Sequence, residues 1–170
     1  MPGINSAWET VINQSDGRYL NSTELQAMQR YVQTFSVRSK TYELLREKSD
    51  SLVTQAMKKF MLIHPDIVQK HSQRCMYDMK MTICITALAI LRDDQQFFKE
   101  CLSLWLANIL EAHQKNLPCL KAYCCLQEIL KEQLPTAANQ LVLPYIEIVL
   151  QALDKPAKLM ATVQRGAVKV

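Results

Sequence analysis

The sequence predicts an all-α protein, and three observations carry that reading. Glycine and proline, which end helices, number only 3 and 6 in 170 residues. Good helix formers, Leu, Gln, Met, Lys and Glu, are abundant. Apolar residues recur at helical spacing, and no segment reads as a strand or an internal repeat.

Each element has its own signal. Residues 6–14 make a short first helix that ends in the loop SDGRY. The phrase NSTE follows, with Asn21 placed to cap a helix and Glu24 to reach back, which is capping-box spacing. Leu25, Met28, Val32 and Phe35 then fall on one face of the second helix. A third, long helix is expected over 37–62, with Tyr42, Leu45, Leu52, Val53, Ala56 and Phe60 inward. His64-Pro65-Asp66 breaks the chain, because a proline disfavours helix in the residue before it. The fourth helix covers about 69–91, and Asp93-Asp94 reads as a stop and restart. A fifth spans 95–112 and carries Trp105. Pro118 opens the sixth, to about 133, and Pro135 the seventh, to about 153, because proline suits a helix's first turn.

The length fits one domain with a substantial core, here residues 1–153, followed by a basic C-terminal tail, 154–170. Apolar residues at 49% and charged residues at 21% are a globular balance rather than a disordered one. No apolar run reaches a membrane span and no secretory leader is evident, so a cytoplasmic location is expected. The six cysteines are then expected to be reduced. In the tail Lys155, Lys158, Arg165 and Lys169 face only Asp154, so +3 of the net +4 sits there and +1 on the other residues. Cations so separated do not make a nucleic-acid site; they suit a solvated end or contact with an acidic partner.

Catalytic patterns are missing: no phosphate-binding glycine loop, no GxSxG elbow, no HExxH. An enzyme therefore has no constellation behind it. Cys101, Cys119, Cys124 and Cys125 lack zinc-finger spacing and read as small core hydrophobes, with Cys124 and Cys125 pointing in different directions. His71 and Cys75 share a helical face but make only two metal ligands, too few for a site. His64 and His113 sit at helix ends, where backbone carbonyls account for them, and no histidine stands out as a haem ligand. There remains the stretch RCMYDMKMTIC, residues 74–84. Cys75 and Asp78 lie three apart on one helical face, and Arg74 stands four residues before Asp78, so a local ion pair is one account of the carboxylate.

DGRYLNSTEL at 16–25, HPDIV at 64–68 and RCMYD at 74–78 together resemble the phycobiliproteins of the phycobilisome, specifically allophycocyanin-like and phycocyanin-like subunits. The resemblance covers about residues 6–153. It implies a globin-like helical domain preceded by an N-terminal helical pairing segment. It also implies a linear tetrapyrrole, a phycocyanobilin-type bilin, joined by a thioether to the motif cysteine, with the motif arginine on a propionate and the motif aspartate on pyrrole N–H groups. Anchoring the motif on Cys75 puts the aspartate at Asp78 and the family's Gly-Asp helix break at Asp93-Asp94; anchoring it on Cys84 puts Ala87 where the aspartate should be. The cofactor-binding candidates are thus Cys75, Asp78, Tyr77 (which stands at the arginine position), Arg74, His71 and, in the second register, Cys84. Met81, Thr82 and Leu88 replace family tyrosines, and the loop before the cysteine is shorter than the family's.

Two functions follow from that resemblance. One is a bilin carrier for light harvesting, excitation-energy transfer or light sensing within a larger assembly, at the surface of the thylakoid membrane. The other is a pigment-free adaptor that keeps only the pairing surface. Both imply a homo-oligomer or a phycobiliprotein-like partner subunit seated on the N-terminal helices, because Trp8, Val11, Ile12 and Tyr19 make a segment too short and too apolar to stand alone. Asp16 and Arg18 offer intersubunit ion pairs, or are ordinary loop charges.

Overall fold

The computed structural model describes residues 5–112 and 116–154, with side chains given outside 105–117. These residues form six helices and no strand: α1 (Ser6–Gln14), α2 (Ser22–Ile63), α3 (Pro65–Arg92), α4 (Gln95–Ala112), α5 (Asn116–Gln133) and α6 (Thr136–Asp154). The tail from Lys155 onward and His113 lie outside the described residues.

Seven helices were expected; among the described residues there are six, because the segments read as 21–36 and 37–62 are one 42-residue helix. No glycine or proline lies between Ser22 and Ile63. Each backbone N–H therefore keeps its partner four residues back, and the change of apolar face near residue 36 alters what the helix packs against rather than its continuity. The predicted capping box is present at the start of α2, with Asn21 accepting from Thr23 and Glu24 N–H groups and Glu24 accepting from Asn21 N–H at 2.7 Å. The α3 helix starts earlier than expected, with Pro65 in its first position. Pro135 precedes α6 as foreseen, while Pro144, overlooked in the sequence, is exposed inside α6 without ending it.

The core is built by the second part of α2 with α3, α5 and α6. The α2 helix packs chiefly on α3 and α5, and α5 on α6. Leu45, Leu52, Val53, Ala56 and Phe60 of α2 meet Met79, Ile83 and Ile90 of α3, Leu126 and Leu130 of α5, and Ile146 and Val149 of α6, all buried. The first buried residue of α2 is Arg38, so everything before it, together with α1, stands off the core as an N-terminal helical pair.

Two polar devices tie that pair to the body. Arg38, only 2% exposed, donates to the Leu91 carbonyl of α3 and, at 2.6 Å, to the Tyr31 carbonyl of its own helix, with its guanidinium 4.1 Å from the Tyr31 ring centre. Trp8 of α1 then meets Tyr31 edge to face. The second device is the Asp93-Asp94 break. Asp93 adopts the left-handed conformation (φ 54°) that ends α3. Asp94 caps α4 by accepting from the Phe97 N–H at 2.9 Å, and its other oxygen accepts from the Ser6 N–H and hydroxyl at 2.9 and 2.7 Å.

Candidate functional site

One face of α3 carries Ile67, His71, Cys75 and Asp78, at steps of four, four and three; the adjacent strip carries Asp66, Lys70 and Arg74. The single-residue joint at His64 brings this face beside the end of α2. Both strips line one cavity of about 400 Å³, closed by Phe60 of α2 and by Pro118 and Cys119 at the start of α5. The volume falls within the roughly 300–1,000 Å³ typical of pockets that enclose an organic ligand.

Four of the six candidate residues meet there: His71, Arg74, Cys75 and Asp78. The other two do not. Tyr77 is 58% exposed and lies outside the cavity, with the Arg74 guanidinium 5.9 Å from its ring centre. Cys84, nine residues after Cys75, is exposed on another face of α3. The register anchored on Cys75 therefore brings a thiol and a carboxylate to one cavity, and the register anchored on Cys84 does not.

Asp78 is 7% exposed, and its Oδ2 accepts from Arg74 Nε at 3.1 Å, the ion pair expected from their spacing. Its carbonyl accepts from the Thr82 hydroxyl at 3.0 Å. That leaves the Tyr123 hydroxyl of α5, 2.9 Å away, to donate to the Thr82 oxygen, so a buried hydroxyl chain ties α5 to the base of the site. Burial, and then the neighbouring Asp78, Cys75 and Cys119, hold the Tyr123 phenol well above its ordinary range. Burial also pushes the Cys75 thiol up, to about 11, aided by Cys119 and Asp78. Cys119 is raised for the same reasons, burial first and Asp78 second.

The sequence reading of the remaining cysteines needs correction. Cys125 is buried as expected, but Cys124 is exposed, and Cys101 and Cys119 are only half-buried. Cys119 was missed as a site residue because 44 positions separate it from Cys75 and no local spacing links them. The proline before it, which fixes the start of a helix, was the available signal. Thr82 and Tyr123 were missed for the same want of local linkage. Among the described residues no group of three or more His, Cys, Asp or Glu side chains is arranged to hold a metal ion. Arg18, considered for intersubunit pairing, binds Glu24 of its own chain at 2.8 Å.

The described residues form an all-helical body with an N-terminal helical pair, an arrangement consistent with the globin-like phycobiliprotein fold. The sequence model of the phycobilisome protein family matches residues 10–153, and the chain belongs to that family. No curated protein matches the chain. Proteins of the family carry covalently bound bilins, assemble into oligomers with other subunits and serve light harvesting in a larger assembly. No described helix is long and apolar enough to cross a membrane.

Proposed function

We propose that this chain is a light-harvesting subunit that holds a linear tetrapyrrole in the α3–α5 cavity, with Cys75 as its thioether anchor and Asp78 as the acceptor for its pyrrole N–H groups. The observation that carries this reading is the convergence of Cys75 and Asp78 on one cavity of about 400 Å³ beside Phe60 and Pro118. When bound, the bilin supplies the visible absorption. The residues do the rest. Asp78 lines the cavity in a low-dielectric setting, where charge-assisted hydrogen bonds are strong. Lys70 and Arg74 supply cations for propionates, the task for which Tyr77 is unsuited. Met79 and Ile83, fully packed behind the site, and the Thr82–Tyr123 hydroxyl chain keep Asp78 from moving, and a rigid cavity favours emission or energy transfer over heat.

A second reading, the pigment-free adaptor, is favoured by Tyr77, which faces solvent where an arginine would serve a propionate. Co-expression with a bilin-producing pathway separates the two. The expected product is coloured after denaturation, with zinc-enhanced fluorescence in a gel and bilin mass on the tryptic peptide 75–80, which trypsin separates from Cys84 in peptide 81–92. A colourless protein that still forms oligomers is the adaptor. Bilin mass on peptide 81–92 alone would reject the Cys75 anchor.

A further inference from the structure

The cavity has two thiols, one on each wall. Cys75 comes from the middle of α3, and Cys119 from the first turn of α5, next to Pro118. Cys119 is near enough to raise the Cys75 thiol, and Asp78 acts on both. Neither is bonded to another cysteine. The two differ in backbone setting. Cys75 is enclosed by the body of α3, whereas Cys119 sits on the opposite wall beside Pro118.

We propose that Cys119 is a second attachment thiol of this cavity, so that a conjugated tetrapyrrole becomes covalently bound through α5 as well as through α3. The proposal rests on the bilin reading above for its ligand, but its geometry is that of the cavity alone. The chemistry is an addition. The Cys119 S–H adds across an exocyclic carbon–carbon double bond of the terminal ring that Cys75 does not hold, which calls for a bilin with such a bond on both terminal rings: the S–C bond forms, the π bond breaks and the thiol proton ends on the neighbouring carbon. Nothing leaves and no oxidant is required, so the adduct has the summed mass of chain and bilin.

Trypsin places Cys119 in peptide 116–121, apart from Cys75 in 75–80 and from Cys124 and Cys125 in 122–131, so a wild-type bilin held by both thiols joins peptides 75–80 and 116–121. In the bilin co-expression system, Cys75→Ala is expected to keep denaturation-resistant colour, with bilin mass on peptide 116–121. Cys75→Ala/Cys119→Ala is expected to lose it, while Cys75→Ala/Cys84→Ala keeps it. A wild type covalently coloured on peptide 75–80 with a Cys75→Ala variant that loses all covalent colour would overturn the role of Cys119 and leave the bilin reading intact. If the wild type takes up no bilin, the bilin reading fails, and the cavity is tested with N-(1-pyrenyl)maleimide on the folded Cys84→Ala/Cys124→Ala protein. One pyrene per chain, divided between peptides 75–80 and 116–121, is the result expected of two thiols sharing one cavity. Two pyrenes on those peptides of one chain, or none on 116–121, would overturn it.

Discussion

Asp94 shows how much one side chain can organise. Its two carboxylate oxygens cap α4 through Phe97 and hold the first residue of α1 through Ser6. Burial alone would raise its pKa, but the Phe97 and Ser6 hydrogen bonds and then Arg92 outweigh it and leave the carboxyl below its ordinary 3.8. Asp94→Ala removes a cap and two bonds to a charged acceptor, so urea denaturation at pH 7 should show a loss of about 2–4 kcal/mol. The sign with pH follows from a depressed folded-state value. The stabilisation is complete above 3.8 and is lost as pH falls through the lower folded value, so wild type and Asp94→Ala should converge in acid. A gap that stays constant down to pH 2 would contradict this. Cys75 has the opposite property. With its thiol near 11 against an ordinary 9.0, its thiolate fraction at neutral pH is roughly a hundredfold below that of a free cysteine. Iodoacetamide at pH 7.5 should therefore modify exposed Cys84 and Cys124 first, with peptide 75–80 reacting roughly a hundredfold more slowly; equal rates for the three would show that the cavity does not shield the thiol.

At the scale of elements, α2 is the member whose continuity decides the most. Its first part carries the apolar face of Leu25, Met28, Val32 and Phe35, and its second part is core. Arg38 sits at the junction and bonds backward to Tyr31 and across to Leu91. Ser36, exposed and one residue past Phe35, is where a break between two helices would have been harmless. Because the helix runs through, Ser36→Pro should cost about 3 kcal/mol or more and reduce helical ellipticity, while Ser36→Ala should stay within roughly 0.5 kcal/mol of wild type. Tolerance of proline there would restore the two-helix reading. The same junction marks what the sequence makes legible. Caps, prolines and the Asp93-Asp94 stop are local signals, and they locate the start of α2, the end of α3 and the start of α6 closely. The joining of 21–36 to 37–62 was not legible, because a change of partner shifts the apolar face just as a helix end does. In the site, Cys75, Asp78 and Arg74 were legible because they share one turn of α3. Cys119, Thr82 and Tyr123 were not, since their place at the cavity depends on how α5 packs against α3, which no spacing along the chain encodes.

The whole molecule is a packed body with an incompletely covered arm. Neither α1 nor α2 before Arg38 has a buried apolar side chain, and Val32 and Tyr19 are 65% and 98% exposed. Met28, Val32 and Ile12 face a common hollow between the two helices, with Trp8 and Tyr31 at its base. A short helix with no buried residue gains little from its own propensity, so α1 is held by Asn5, Ser6 and the Trp8–Tyr31 contact while its outer face awaits cover. Exposed apolar surface of this kind is what a pairing surface requires, and the family assembles into oligomers; that this arm is where subunits meet is the prediction to test. Covering it removes apolar area from water at about 25 cal/mol per Å², so a charge placed in its centre should prevent association without touching the core. Val32→Glu with Phe35→Glu should shift sedimentation velocity to the monomer while far-ultraviolet circular dichroism and the urea midpoint of the body remain those of the wild type. Trp8→Ala with Tyr19→Ala should act in the same direction through α1. An oligomer that survives both double substitutions would show that subunits meet on another face, and would remove the arm from the pairing surface.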